Sequence, residues 1–206
     1  MKKLISISLV ILCLQVTLYA GDSVKSDHFD NLKKQLKEAR CIQIEFISSF
    51  ESSVFDTTDS TKGIAVISQD GRYNIQLGND LYLYDLEKSY SYSQGSNQVI
   101  IEEVADPEMV GKEISFIKNL DDLYVSQQFI KNRIYKLTKK TRNDTSDTPD
   151  SLIIYLSENK FFDSLSYYDI NEDLNYIYFI SQKISDTCDN SLFIPIFPDS
   201  VEKVRF

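Results

Sequence analysis

The longest regular pattern of apolar and polar positions runs from Lys62 to Glu103, where the two classes alternate with the two-residue period of a β-strand. Tyr82 and Tyr84 alternate with leucines, and Tyr90 and Tyr92 alternate with serines. Turn-forming residues separate the alternating stretches. The pattern predicts a meander of successive antiparallel strands, with turns at Asp70-Gly71, Gly78 to Asp80, Asp85 to Lys88 and Gln94 to Asn97.

Two segments outside this meander have the three- and four-residue spacing of amphipathic helices. The first begins at Asp27, which is a good N-cap residue, and ends near Arg40, where a strand from Cys41 to Phe50 follows. The second runs from Asp106 to Leu120, with Pro107 in its first turn. The apolar stripe of the first helix consists of Phe29, Leu32, Leu36 and Ala39.

The second half of the chain returns to short strand patterns. They are joined in part by a connection from Lys139 to Asp150 without apolar residues, which we expect to be a mobile loop in solvent. In total the pattern predicts about ten or eleven strands and two helices, with no βαβ alternation. The strands predicted in this half are Leu123 to Ile130, Ile134 to Thr138, Leu152 to Leu156, Phe161 to Asp169 and Tyr176 to Ile184.

The first 20 residues have the pattern of a secretory signal peptide. A short cationic start precedes an apolar run from Leu4 to Leu18, and the small residue Ala20 stands at the expected cleavage site. The run is too short and wrongly flanked for a membrane-spanning helix. We therefore expect cleavage after residue 20 and a single mature domain of residues 21–206.

Two alternatives apply to this N-terminal segment. Leu18 lies three residues before the expected cleavage site, at a position where small residues are preferred. The segment is therefore also compatible with an uncleaved N-terminal anchor. Cys13 suggests a lipid-anchored protein, but Leu12 occupies the position where a lipoprotein signal needs a small residue, and the apolar run continues past Cys13. The pattern favours a cleaved signal and a soluble exported protein.

The charge of the chain excludes some classes of partner. It has 22 basic and 31 acidic residues, a net charge of −9, and loss of Lys2 and Lys3 with the signal peptide leaves 20 basic residues against 31 acidic ones, or −11. Such a surface repels nucleic acid and anionic headgroups, so we expect no nucleic-acid partner and no stable membrane insertion. A content of 42% hydrophobic and 12% aromatic residues is typical of a globular domain.

The residues with reactive side chains give little support for catalysis. His28, the one histidine, lies in the first turn of the first helix, where we expect it to be solvated. The chain has no nucleophile elbow, phosphate loop or metal-binding cysteine pair, so we expect a protein that is not an enzyme and has no metal or cofactor. Cys41 and Cys188 form either a disulfide or two buried free thiols, and the sequence does not decide between them.

One stretch of the meander resembles a known family. Tyr90 and Tyr92, followed by a turn and then Gln98-Val99, resemble a strand, turn and strand of the periplasmic outer-membrane lipoprotein carriers, the LolA-like proteins. The resemblance covers nearly the whole mature chain. It also involves Gly63, the Gly71-Arg72-Tyr73 turn, Ile42, Phe46 and Phe50 in the first strand, and Phe193, Pro198 and Val201 in a closing strand.

The resemblance implies a fold and a function. The fold is an incomplete, half-open antiparallel β-barrel, covered by an N-terminal helix and a helical lid over an apolar cavity. The function is that of a monomeric periplasmic chaperone, which binds the acyl chains of lipoproteins and carries them from the inner to the outer membrane. Its partners are then acylated lipoproteins, an inner-membrane lipoprotein-releasing complex and an outer-membrane acceptor. The alternative is a non-transporting lipid-binding or envelope-stress sensor module of the same fold.

The resemblance also implies site residues. In the family, an arginine at the early corner hydrogen-bonds the closed lid, and here Gln69 occupies its position. Either Gln69 forms a weaker, uncharged latch, or the lid is controlled differently. The segment from Asp106 to Leu120 corresponds to the lid, although periodicity alone also fits a static core helix. The candidate residues of the cavity and lid are Phe46, Ile64, Val66, Tyr73, Tyr82, Tyr84, Tyr90, Tyr92, Met109, Val110, Ile114, Phe116 and Ile117.

Overall fold

The computed structural model describes residues 23–52, 57–103, 115–131, 133–140, 149–159, 161–169 and 171–206. Two α-helices lie in these ranges, α1 (Ser23–Glu38) and α2 (Leu120–Leu123), with 3₁₀ helices at Ser115–Asn119 and Asn190–Phe193. The strands are β1 (Cys41–Ser52), β2 (Thr57–Ser68), β3 (Tyr73–Leu77), β4 (Asp80–Tyr84), β5 (Lys88–Ser93), β6 (Gln98–Glu103), β7 (Tyr124–Lys131), β8 (Ile134–Lys139), β9 (Ser151–Leu156), β10 (Phe162–Tyr168), β11 (Leu174–Ser185) and β12 (Glu202–Arg205).

All twelve strands form one sheet in the order β12-β6-β5-β4-β3-β2-β1-β11-β10-β9-β8-β7. The sheet is not closed into a barrel, which confirms the predicted half-open architecture. The meander β2 to β6 is present as predicted, and the predicted strands of the second half end within two residues of the observed ones. The pair β12 and β6 is parallel, since the chain crosses the sheet before β12 and returns in the direction of β6.

The sheet has two distinct faces, which the register of β1 defines. Ile42, Ile44 and Phe46 alternate with polar residues and lie on what we call the inner face, where they are buried beneath α1. The opposite side, which carries Ile64 and Tyr90, is called the outer face. The main core of the protein therefore lies between the inner face and the helices.

Helix α1 covers the inner face with the predicted apolar stripe. Phe29, Leu32 and Leu36 are buried in the core, and the Phe29 ring lies 4.6 Å from the ring of Tyr135 in β8, centroid to centroid. The expected start at Asp27 was wrong, because the helix begins at Ser23 and Asp27 lies inside it. Residues 23–26 contain neither glycine nor proline, so the helix can extend upstream of Asp27 to Ser23.

The segment predicted as a lid is described only from Ser115 onward. Its end forms the 3₁₀ helix Ser115–Asn119 and then α2, in which Ile117 and Leu120 are buried in the core. We call residues 115–123 the lid segment. Met109, Val110 and Ile114 lie outside the described residues, as does the side chain of Phe116. Most of the predicted loop from Lys139 to Asp150 and the predicted signal peptide also lie outside them.

The C-terminal segment lies on the outer face. The Asn74 side-chain amide donates a hydrogen bond of 2.6 Å to the Leu192 carbonyl, and a disulfide joins Cys41 to Cys188 with the two Cα atoms 5.0 Å apart. The structure thus selects the disulfide over two free thiols. The closing strand was predicted too early, because Phe193 ends a 3₁₀ helix and β12 starts only at Glu202. The prolines between them lack an N–H group for strand pairing.

Candidate functional site

The floor of the inner face is formed by aromatic side chains from neighbouring strands. Phe46 in β1 is 0% exposed, and its ring lies directly over Gly63 in β2, its cross-strand partner. A Cβ atom added to Gly63 would lie 2.3 Å from Cζ of Phe46, so only glycine leaves room for the ring. This is a physical reason for the glycine that the sequence resemblance singled out.

Tyr73 and Tyr84 continue this floor on β3 and β4. They are directly opposite each other in the register, and their ring centroids are 5.8 Å apart. Burial, with the nearby phenol of Tyr84, raises the pKa of Tyr73, and burial also raises the pKa of Tyr84. Both phenols therefore remain neutral at physiological pH. Tyr82 lies beside them on the same face and packs against the core.

The structure separates the other predicted cavity residues from this floor. Ile64 and Val66 alternate with the buried inner residues of β2, and Ile64 is 45% exposed on the outer face. Tyr90 and Tyr92 also lie on the outer face, where their rings are 5.9 and 5.7 Å from that of Phe197. These four residues do not border the space beneath the helices. The alternation predicted two faces correctly but not which face the helices cover.

The lid segment is held to the early corner of the sheet by Lys118. Its Nζ donates a hydrogen bond of 2.5 Å to the backbone carbonyl of Ser68, and Lys118 is only 7% exposed. Burial lowers the pKa of Lys118 to about 8, although the carboxylate of Asp70 acts in the opposite direction. Gln69, the predicted latch, is exposed, and its backbone N–H binds the Arg40 carbonyl at 2.9 Å. The charged group in the contact between the lid segment and the corner is therefore Lys118 of the lid segment.

A pair of lysines on α1 binds the two adjacent acids of α2. Lys33 Nζ lies 2.5 Å from Asp121 and 3.1 Å from Asp30, and Lys37 Nζ lies 3.0 Å from Asp122. Burial lowers the pKa of Lys33, but the hydrogen bonds to Asp121 and Asp30 outweigh it and raise the pKa overall. The two helices thus form one cover over the inner face. These ion pairs could not be predicted from the local sequence, because the lysine partners are more than 80 positions away.

The described residues offer little for metal binding or acid–base chemistry. Within them, no group of three histidine, cysteine or acidic residues is placed to hold a metal ion, and His28 is exposed on α1. None of the helices in the described ranges has both the length and the apolar character that crossing a membrane requires. The most distinctive feature of the structure is a neutral, apolar sheet face beneath a helical cover that makes polar side-chain contacts.

No family model and no curated protein matches this sequence. Solved structures do match its fold. An uncharacterised conserved protein from Thermus thermophilus aligns with a TM-score of 0.50 at 10% identity, over 89% of this chain and 99% of that one.

Two further structures align with a TM-score of 0.46 at 8% identity. A DUF1329 family protein from Desulfovibrio piger aligns over 82% of this chain and 96% of its own length. A LolA superfamily protein from Nitrosomonas europaea aligns over 82% of this chain and 97% of its own length. At identities of 8 to 10% the likeness extends to the fold alone, and it is the fold of the Thermus thermophilus protein that this chain shares.

Proposed function

We propose that this protein is a lipid-binding carrier of the cell envelope, which holds the acyl chains of lipoproteins between its inner face and its helical cover. One observation carries the proposal: a wide apolar sheet face is covered by helical segments that are not hydrogen-bonded into the sheet as strands. The Lys118 side chain makes a polar contact from this cover to the sheet, and two lysine–aspartate ion pairs join the two helices of the cover to each other. Such a cover can separate from the sheet without breaking strand pairing.

The floor of the inner face suits an acyl chain. Phe46, Tyr73 and Tyr84 present aromatic surface, and the two phenols stay neutral because burial raises their pKa. Burial of an acyl chain contributes up to about 0.8 kcal/mol per CH₂ group. Ile117 and Leu120 of the lid segment occupy the core of the unliganded protein, so a ligand must displace apolar side chains that are already buried. This competition moderates an affinity that would otherwise prevent release.

The transport role and its partners belong to the same proposal. The cargo is an acylated lipoprotein, the donor an inner-membrane lipoprotein-releasing complex, and the recipient an outer-membrane acceptor. The carrier acts as a monomer in the periplasm after removal of residues 1–20. The acidic surface supports this role, since it disfavours residence on anionic lipid.

A second candidate is a non-transporting lipid-binding or envelope-stress sensor module. The filled inner face favours it, because Phe46 and Tyr73 are 0% and 2% exposed when the cover is in place. In a sensor, ligand binding would serve to move the cover rather than to carry cargo. The two functions share the binding step and differ in the step after binding.

Binding is tested with a fluorescent fatty acid and with Ile117→Ala. Ile117 is buried in the lid segment, so the substitution should lower the free energy of unfolding by about 2–5 kcal/mol and strengthen acyl binding, since less cover burial opposes it. Ile196→Ala is the matched control, because Ile196 is exposed on the C-terminal segment and should change neither quantity. Lower stability with unchanged or weaker acyl binding would mean a static core helix and would contradict the proposal.

Transport is tested separately by incubating the purified mature protein with inner-membrane vesicles that contain a labelled lipoprotein. A carrier releases the lipoprotein into the soluble fraction as a one-to-one complex, and mass spectrometry finds acyl chains bound to it. Acyl binding without any release would support the sensor module instead. Absence of both acyl binding and release would exclude both functions.

A further inference from the structure

A cleft of about 290 Å³ lies on the outer face, at the edge of the sheet where the C-terminal segment crosses β5 and β6. We call it the C-terminal cleft. Tyr90 and Ile101, which are cross-strand partners, form its floor, and Phe197 forms one wall. Its volume lies just below the range of about 300–1,000 Å³ for ligand pockets, so it fits only a small ligand. The whole thickness of the sheet separates this cleft from the inner face.

Cationic side chains surround the cleft. Lys203 and Arg205 of β12 pair in register with Val99 and Ile101 and border the cleft, as does Lys88 at the start of β5. Among the described residues that line the cleft, Glu103 is the one with a carboxylate side chain, and it lies directly opposite Lys88 in the register. A cluster of basic residues on a chain of net charge −9 is a local site of attraction for anions.

The aromatic part of the cleft is fixed in position. The Tyr90 hydroxyl donates a hydrogen bond of 3.0 Å to Asp85, and the Phe197 ring packs between Tyr90 and Tyr92 at centroid distances of 5.9 and 5.7 Å. Burial, followed by the hydrogen bond to Asp85, raises the pKa of Tyr90 to about 12. The phenol therefore adds no negative charge to the floor at physiological pH. The carboxylates of Asp85 and Glu87 also contribute to the raised pKa of Tyr90, and Lys88 faces Glu103, so the cations available to an anion are Lys203 and Arg205 of β12.

We propose that the C-terminal cleft binds a small amphiphilic anion, with a flat apolar body against Tyr90 and Phe197 and its acidic group facing Lys203 and Arg205. The apolar body supplies most of the affinity, because ion pairs with exposed side chains contribute little. The cations supply the selectivity for an anion over a neutral molecule of the same shape. This site is independent of the proposed acyl-binding face.

Two probes of nearly the same shape test the proposal: anilinonaphthalene sulfonate, which is anionic, and phenylnaphthylamine, which is neutral. Both are titrated into the full mature chain and into Lys203→Gln/Arg205→Gln. We expect the double substitution to weaken binding of the sulfonate on the order of fivefold to tenfold and to leave the neutral probe unchanged. Added salt should weaken only the sulfonate. Lys34→Gln/Lys183→Gln, which replaces two lysines outside the cleft, is the charge-matched control and should bind both probes like the wild type.

The outcomes separate this site from the inner face. If the cleft variant and the control bind the sulfonate equally well, the probe occupies another site and the proposal is wrong. If the cleft variant loses both probes equally, the cations do not select the anion, and the proposal is again wrong. Millimolar inorganic phosphate should not displace the sulfonate, since phosphate has no apolar body, and complete displacement would show a simple anion site instead. Binding of the fluorescent fatty acid at the inner face should be the same in all three proteins.

Discussion

Replacement of Lys118 by methionine should stabilise the unliganded protein at neutral pH. Lys118 carries a charge in a site where it is 7% exposed, and its Nζ binds the Ser68 carbonyl. Methionine keeps much of the length of the side chain and removes the charge. The Ser68 carbonyl is not left without a partner, because it also accepts a hydrogen bond of 3.2 Å from the Gly71 N–H.

The size of the expected stabilisation by Lys118→Met follows from the pKa of Lys118. Burial lowers this pKa from 10.5 to about 8, with Asp70 opposing the change. Each pKa unit corresponds to about 1.4 kcal/mol, so the fold disfavours the charged amine by roughly 3 kcal/mol relative to the neutral amine. Apolar replacement of a buried charge is often stabilising by about 1–4 kcal/mol. We therefore expect Lys118→Met to raise the free energy of unfolding by about 1–3 kcal/mol at pH 7.

The pH dependence identifies the source of this difference. Between pH 8 and pH 10.5 the unfolded chain keeps the Lys118 proton while the folded chain has lost it, so the unfolded state binds more protons. The stability of the wild type should therefore rise with pH relative to the variant, and the advantage of Lys118→Met should shrink over this window. Urea denaturation of both proteins from pH 7 to pH 10 measures the difference in their free energies of unfolding. The titration of all groups that the two proteins share cancels in this difference.

Lys34→Met is the matched control for this experiment. Lys34 lies on the exposed side of α1, so its substitution should change stability by less than about 0.5 kcal/mol at every pH. If Lys118→Met instead lowers stability at pH 7, with a constant difference up to pH 10, the ammonium group stabilises the closed cover and our reasoning is refuted. If it behaves as expected, acyl binding should weaken about tenfold for each 1.4 kcal/mol gained, because a more stable cover is harder to displace.

Two further predictions concern the sheet. Gly63→Ala should lower the free energy of unfolding by about 1–3 kcal/mol, because the added Cβ overlaps the Phe46 ring. In urea denaturation, the double variant Gly63→Ala/Phe46→Ala should lose clearly less stability than the sum of the losses from the two single substitutions. Additive losses would show that the two side chains do not compete for space. Cys41→Ala/Cys188→Ala should lose roughly 2–5 kcal/mol, since the disulfide closes a loop with a sequence separation of 147, and reductant should destabilise the wild type but not the variant. Equal urea midpoints for the wild type with and without reductant would exclude this contribution.

The fold could be predicted from the sequence where local pattern decides the structure. The two-residue alternation of the meander and the apolar stripe from Phe29 to Ala39 indicated the strands and the first helix, because each pattern matches one backbone geometry. The alternation could not show which face of a strand is covered. In β2 both Ala65 and Ile64 are apolar, and only the packing of α1 buries the first and leaves the second exposed.

The contacts that hold the cover could not be predicted from the sequence. Lys118 belongs to a short 3₁₀ helix, and nothing in its neighbourhood distinguishes it from an ordinary surface lysine. Its partner is a backbone carbonyl, which any residue at position 68 would present. The resemblance placed the latch at Gln69, one position away from the carbonyl that accepts the bond. The residue that supplies the charge, Lys118, was not among the predicted site residues.

The corner between β2 and β3 explains why the proposed opening of the cover need not disturb the sheet. On the inner side the corner accepts the Lys118 hydrogen bond at Ser68. On the outer side Arg72 binds Asp70 at 2.9 Å and Asn190 at 3.0 Å, and its guanidinium lies over the Phe193 ring. Only the first of these contacts involves the lid segment.

Loss of the Lys118 contact would thus remove one bond from a corner that the others still hold. Ser68 is paired in register with Cys41, whose disulfide to Cys188 ties the C-terminal segment to the same end of β1. The Ser68 carbonyl keeps its bond from Gly71, so the turn remains closed after the lysine leaves. The buried charge of Lys118 belongs to the cover, whereas the carbonyl that it binds belongs to a corner with further contacts on its outer side. Opening should therefore move the lid segment and leave the strands in place.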